Sequence, residues 1–122
     1  MSQPSIAIGG ERAPAIRSDE RRASVRYQSG AKGSCQTLSA GLESSWEAVV
    51  RNISSDGIGL LLGRRFEPGV LLAIDVAEKT DGQTRLLLAR VIHATARPEG
   101  GWLIGCCLLN TLTDEEVQAL RF

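Results

Sequence analysis

Aromatic residues are scarce in this chain: two Trp, one Tyr and two Phe among 122 residues. Single-stranded nucleic-acid binders stack successive bases on aromatic side chains, so five rings argue against that class. Histidine occurs once, at His93, with no acid or serine at motif spacing, which removes a catalytic triad and a histidine metal site. The cysteines, Cys35, Cys106 and Cys107, are odd in number and form no C-x-x-C, which argues against structural zinc and a disulfide framework. Cys106 and Cys107 are adjacent in an apolar run; on a strand they point to opposite faces, and at least one is expected to be a small buried hydrophobe. No apolar run approaches the ~20 residues of a membrane helix. The first ten residues lack the basic-then-apolar order of a signal peptide, so the expected compartment is the cytoplasm, without membrane insertion. P-loop, dinucleotide fingerprint and paired-carboxylate signature are all missing, so no catalytic residue, metal ligand or cofactor is expected, and no enzyme.

Net charge is also missing, with 14 Lys/Arg against 14 Asp/Glu, but the balance is uneven along the chain. Residues 1–32 hold six Lys/Arg against three acids, and the remainder holds eight against eleven. A basic arm on an acidic body suits capture of a small anion. It suits a nucleic-acid polymer poorly, since a duplex binder carries a basic face across the folded body.

What is present reads as one β-rich domain. Residues 1–18 are rich in Ser, Gly, Pro and charge without periodicity and are expected to form a disordered N-terminal arm, with the folded domain over 19–122. Strand-like runs follow at Trp46–Ile53, Ile58–Leu62, Val70–Val76, Thr84–Thr95 and Trp102–Leu109, separated by turn signals at Ser54–Gly57, Phe66–Gly69, Lys79–Gly82 and Pro98–Gly101. Thr113-Asp-Glu-Glu116 has capping-box spacing, so a short C-terminal helix carrying Val117 and Leu120 is expected. Trp46 and Trp102 are expected in the core or half-buried on strands, and Arg64–Arg65 on solvated surface. Without crossover helices a parallel sheet is excluded. The fold class is mainly β: a small antiparallel six-stranded barrel with a short C-terminal helix and a flexible arm.

Two polar clusters stand out. Arg22 and Arg26 place two guanidiniums four residues apart; each can fork onto the O6 and N7 edge of guanine, pair with phosphate or stack on a purine. The same spacing also fits one face of a solvated helix. Asn52-x-Ser54-x-x-Gly57 supplies an amide, a hydroxyl and a residue without a side chain, the last suited to a left-handed turn or a close ligand approach. That composition is equally ordinary for a hairpin turn.

Taken together, R-x-x-x-R followed about 25 residues later by [D/N]-x-S-x-x-G resembles the two-part motif of PilZ domains, bacterial receptors for cyclic di-GMP. The flanking strands, the late Gly101-Trp-Leu-Ile-Gly105 strand and the Leu-Thr-Asp-Glu-Glu helix start extend the resemblance over residues 19–122. It implies that Arg22 and Arg26 grip guanine edges and phosphates, and that Asn52, Ser54 and Gly57 meet the ligand on the barrel surface. Arg21, just before the motif, matches a basic position associated in the family with a stacked ligand dimer. Asp56 departs from the glycine that many members carry there. The implied function is a stand-alone cyclic di-GMP receptor that orders its arm over the nucleotide and signals to a partner protein. The alternative is a PilZ-like protein-interaction domain that binds no nucleotide.

Overall fold

The computed structural model describes residues 25–38, 44–79 and 82–121. The arm expected over 1–18, and Arg21 and Arg22, lie outside them. Alternation of inward and outward side chains builds seven strands: β1 (Tyr27–Gln28), β2 (Lys32–Thr37), β3 (Trp46–Ile53), β4 (Gly57–Leu62), β5 (Leu71–Ala77), β6 (Thr84–Ala96) and β7 (Trp102–Leu108). In β5, for instance, Leu72, Ile74 and Val76 are buried while Asp75 is exposed, as a strand with one wet face requires.

All pairings are antiparallel. β3 pairs with β2 on one edge and β4 on the other, and the ring continues through β7, β6 and β5 back to β2. Six strands therefore close into a barrel, which leaves no long open edge to recruit another chain. The two-residue β1, which sequence patterning does not reveal, extends the β2 side of β3 by pairing Tyr27 with Ile53 and Gln28 with Asn52. Inside lie Ile53, Ile58, Leu60, Leu72, Ile74, Val76, Val91 and Ile104, each at most 1% exposed. Each such side chain contributes about 1.5–3 kcal/mol, against at most ~1 kcal/mol for a surface ion pair such as Arg65–Glu67. The core therefore decides the fold.

The helix α1 (Asp114–Leu120) starts as expected, with the Thr113 hydroxyl accepting from the Glu116 amide while the Glu116 carboxylate accepts from the Thr113 amide. Val117 and Leu120 join the barrel core. Three further links hold the helix: the Ser29 hydroxyl donates to the Leu120 carbonyl at 2.7 Å, Arg121 sits 4.2 Å above the Tyr27 ring, and Arg85 bonds both Glu116 and Glu78. The end of α1 is thereby tied to the chain immediately after Arg26.

Trp46 and Trp102 are half-buried as expected. Arg64 is exposed, yet its guanidinium is more than solvated surface, lying 4.9 Å from the Trp46 ring centre and 4.2 Å from that of Phe66. Among the described residues no helix is long and apolar enough to cross a membrane.

Candidate functional site

The site begins with an irregularity in β3. Val50 pairs with Leu60 and Asn52 with Gly59, so Arg51 is an extra residue. A bulge of this kind reverses the in–out alternation beyond it. Ala48 and Val50 point inward; regular alternation would bury Asn52 as well, but the bulge turns it outward and sends Ile53 into the core. On the outer surface the Asn52 amide lies over Gly59, where a Cβ would stand only 2.9 Å from Oδ1.

Arg26, exposed just before β1, donates from Nη1 to Asn52 Oδ1. Its other terminal nitrogen lies over Gly57, 2.9 Å from where a Cβ would be. Arg26 and Asn52, 26 residues apart in sequence, thus meet on the barrel surface. Arg26 lies in no helix, so the helical reading does not hold for it. Gly57 is not among the described glycines with positive φ, so clearance rather than a left-handed turn explains it.

Ser54 behaves differently from Asn52. It follows the end of β3, is 1% exposed, and its hydroxyl lies 3.0 Å from Asp56 Oδ1 and 3.4 Å from the Gly57 carbonyl. Its amide donates to the same carbonyl at 2.9 Å. The Asp56 carbonyl accepts from Leu108 and the Ser55 carbonyl from Leu112, which fastens the turn to β7 and the chain leading to α1. Ser54 holds the turn that presents Asp56 and Gly57.

A second bulge faces the first across the sheet. On β6, Val91 pairs with Cys106 and His93 with Gly105, leaving Ile92 as the extra residue. Leu87, Ala89 and Val91 point inward; the bulge turns His93 outward and lets Ala94 pack on the core. His93 is therefore mid-strand. Its imidazole lies across Gly105, with Cε1 and Nε2 each 2.4 Å from where a Cβ would stand. Gly59 and Gly105 are themselves cross-strand partners. Asn52, Gly59, Gly105 and His93 hence form one row across four adjacent strands.

A cleft of about 240 Å³ contains Arg26, Asp56, Gly57, Ile92, His93, Gly105 and Cys107. A larger hollow of about 630 Å³, beside Lys32, Glu47, Val49 and Leu61, contains none of the motif residues, and its two charges oppose each other. Chemistry favours the smaller cleft. Burial pushes the Cys106 thiol up to about 12 and that of Cys35 up to about 11, so both are protonated packing groups at neutral pH. Among the described residues no three of His, Cys, Asp and Glu group closely enough to hold a metal ion.

The sequence matches the family model described as the PilZ domain over residues 20–122. The chain belongs to the PilZ family. Two solved structures share this PilZ fold. One is the inhibitor of motility MotI/DgrA of Bacillus subtilis, with a TM-score of 0.63 and 21% identity over 82% of this chain. The match covers 48% of that protein, so this chain spans about half its length. The other is the PilZ domain of YcgR from Escherichia coli, solved with c-di-GMP, with a TM-score of 0.62 and 19% identity over 81% of this chain and 86% of that one. No curated protein matches the sequence.

Proposed function

We propose that this PilZ domain is a receptor for cyclic di-GMP, held between Arg26, with Arg21 and Arg22 ahead of it, and the surface formed by Asn52 and by the turn from Ser54 to Gly57. The observation that carries this reading is the meeting of Arg26 with Asn52 and Gly57 on the barrel surface. One guanidinium can bond a guanine edge or a phosphate, and Gly57 leaves the ligand room to approach the backbone. Asn52 faces the ligand directly, while Ser54 acts through the turn that it ties. The family match, and the fold shared with a YcgR domain solved with c-di-GMP, support the choice of ligand.

Binding orders the arm over the nucleotide. Ordering costs about 1–2 kcal/mol per residue, and charge-assisted hydrogen bonds of ~1.5–3 kcal/mol each offset it. The ordered arm joins β1, next to the Ser29–Leu120 and Tyr27–Arg121 contacts, so the changed surface seen by a partner protein includes α1. Calorimetry with cyclic di-GMP tests this: micromolar or tighter binding that is lost in Arg22→Ala and Arg26→Ala supports the reading, and the absence of heat at high ligand concentration overturns it.

A second reading, a PilZ-like protein-interaction domain without nucleotide, is favoured by one observation. The Asp56 side chain lines the cleft where phosphates would sit. Under that reading Asp56→Gly does not create binding.

A further inference from the structure

The nucleotide motif does not account for the second bulge. An extra residue at Ile92 interrupts the β6–β7 ladder, and glycine in a strand interior costs roughly 0.5–1 kcal/mol relative to alanine. Neither feature improves the packing of His93, which remains exposed. Moreover, glycine at position 105 leaves the space in which the imidazole lies: a Cβ there would meet Cε1 and Nε2 at 2.4 Å. A bulge that turns a ring outward, over a residue that clears space for it, is a device for holding that ring against the sheet. The ring then borders the cleft that also contains Arg26 and Gly57, with bulged Ile92, 51% exposed, beside it.

We propose that His93 is the base-stacking residue of this site and that Gly105 is its positioning residue. One guanine of the ligand packs on the imidazole while Arg26 holds the adjoining edge or phosphate, and Asn52 closes the opposite end of the row. The ligand is thus recognised through a purine ring as well as through its charges. In a chain with so few aromatic residues, an imidazole can supply the π surface that a purine needs.

The inference rests on the cyclic di-GMP reading, and titration calorimetry of the full chain with cyclic di-GMP separates the two. Without wild-type binding, both fall. With wild-type binding, His93→Ala is expected to weaken affinity about tenfold, the usual scale for losing one base–aromatic contact. His93→Phe, which keeps a ring but no ring nitrogen, is expected to stay within about threefold of wild type. Gly105→Ala is expected to displace the imidazole and weaken binding in the same direction as His93→Ala. The melting temperature of His93→Ala is expected to match wild type, because the side chain is exposed. Affinity of His93→Ala within twofold of wild type overturns the inference and leaves the receptor reading standing. Equal losses in His93→Phe and His93→Ala overturn stacking as the role. If Gly105→Ala does not fold, the two His93 variants decide.

Discussion

The Ser54 hydroxyl donates to an Asp56 carboxylate oxygen at 3.0 Å, which holds a negative charge at the rim of the cleft that Arg26 borders. Two unit charges 4 Å apart interact by about 1 kcal/mol in water, and salt reduces this further. A carboxylate facing a dianionic ligand is a modest obstacle on this scale. Asp56→Asn is expected to raise cyclic di-GMP affinity severalfold, with the gain shrinking as salt is added. Calorimetry at two ionic strengths checks both parts.

Gly57 and Gly33 separate a binding defect from a folding defect. A Cβ at Gly57 meets the movable end of Arg26 at 2.9 Å and the Cys106 carbonyl at 3.3 Å. Gly57→Ala is therefore expected to fold with little loss of stability, but to bind about tenfold more weakly through the displaced guanidinium. A Cβ at Gly33 instead lies 2.2 Å from the Asp75 carbonyl on the paired strand β5, where nothing flexible can move aside. Gly33→Ala is expected to destabilise the barrel by roughly 2–4 kcal/mol, read from urea unfolding.

Thiol chemistry reports on the same face of the barrel. Cys35 and Cys106 are buried with thiols pushed up to about 11 and about 12, whereas Cys107 is half-buried and borders the cleft. Iodoacetamide at pH 8 is expected to modify Cys107 in the native protein, and the other two only after unfolding. Bound cyclic di-GMP is expected to slow the labelling of Cys107. Mass spectrometry of timed samples gives all three rates.

Acid sensitivity should concentrate on α1. The Glu116 carboxyl is held below its ordinary value near 4.5, first by the hydrogen bond from the Thr113 amide and further by that residue's hydroxyl and by Arg85. A carboxyl whose folded value is lowered adds stability that is fully present above the unfolded value and is lost as pH falls through the folded one. The melting temperature is therefore expected to decline as pH drops below about 4.5, less steeply in Glu116→Gln. Arg85→Ala, which frees both Glu78 and Glu116, is expected to lower the melting temperature at pH 7 by a few degrees. Thermal unfolding followed by circular dichroism across pH 3–7 measures these slopes.

Much of this PilZ domain is legible along the chain because strand alternation, turn chemistry and helix capping are local. Trp46–Ile53 is a strand with the expected bounds, and Thr113–Glu116 caps the helix as its spacing requires. The motif residues Arg26, Asn52, Ser54 and Gly57 are likewise visible in one dimension. The role of Ser54 is not, since one strand carrying both Asn52 and Ser54 would face them the same way. The observed Ser54 lies beyond the strand end and turns inward.

Residue order thus determines the strands, the caps and the chemistry available at the surface. Tertiary structure alone decides which side chains share that surface. A bulge is defined only against a partner strand, so the extra residues Arg51 and Ile92, which turn Asn52 and His93 outward, leave no mark in either strand alone. The pairing of Gly59 with Gly105 joins residues 46 positions apart, and only the pairing of β4 with β7 brings them together. His93 illustrates the difference: alternation from Val91 would leave it outward only if the strand were irregular, and the neighbour that makes room for it is on another strand.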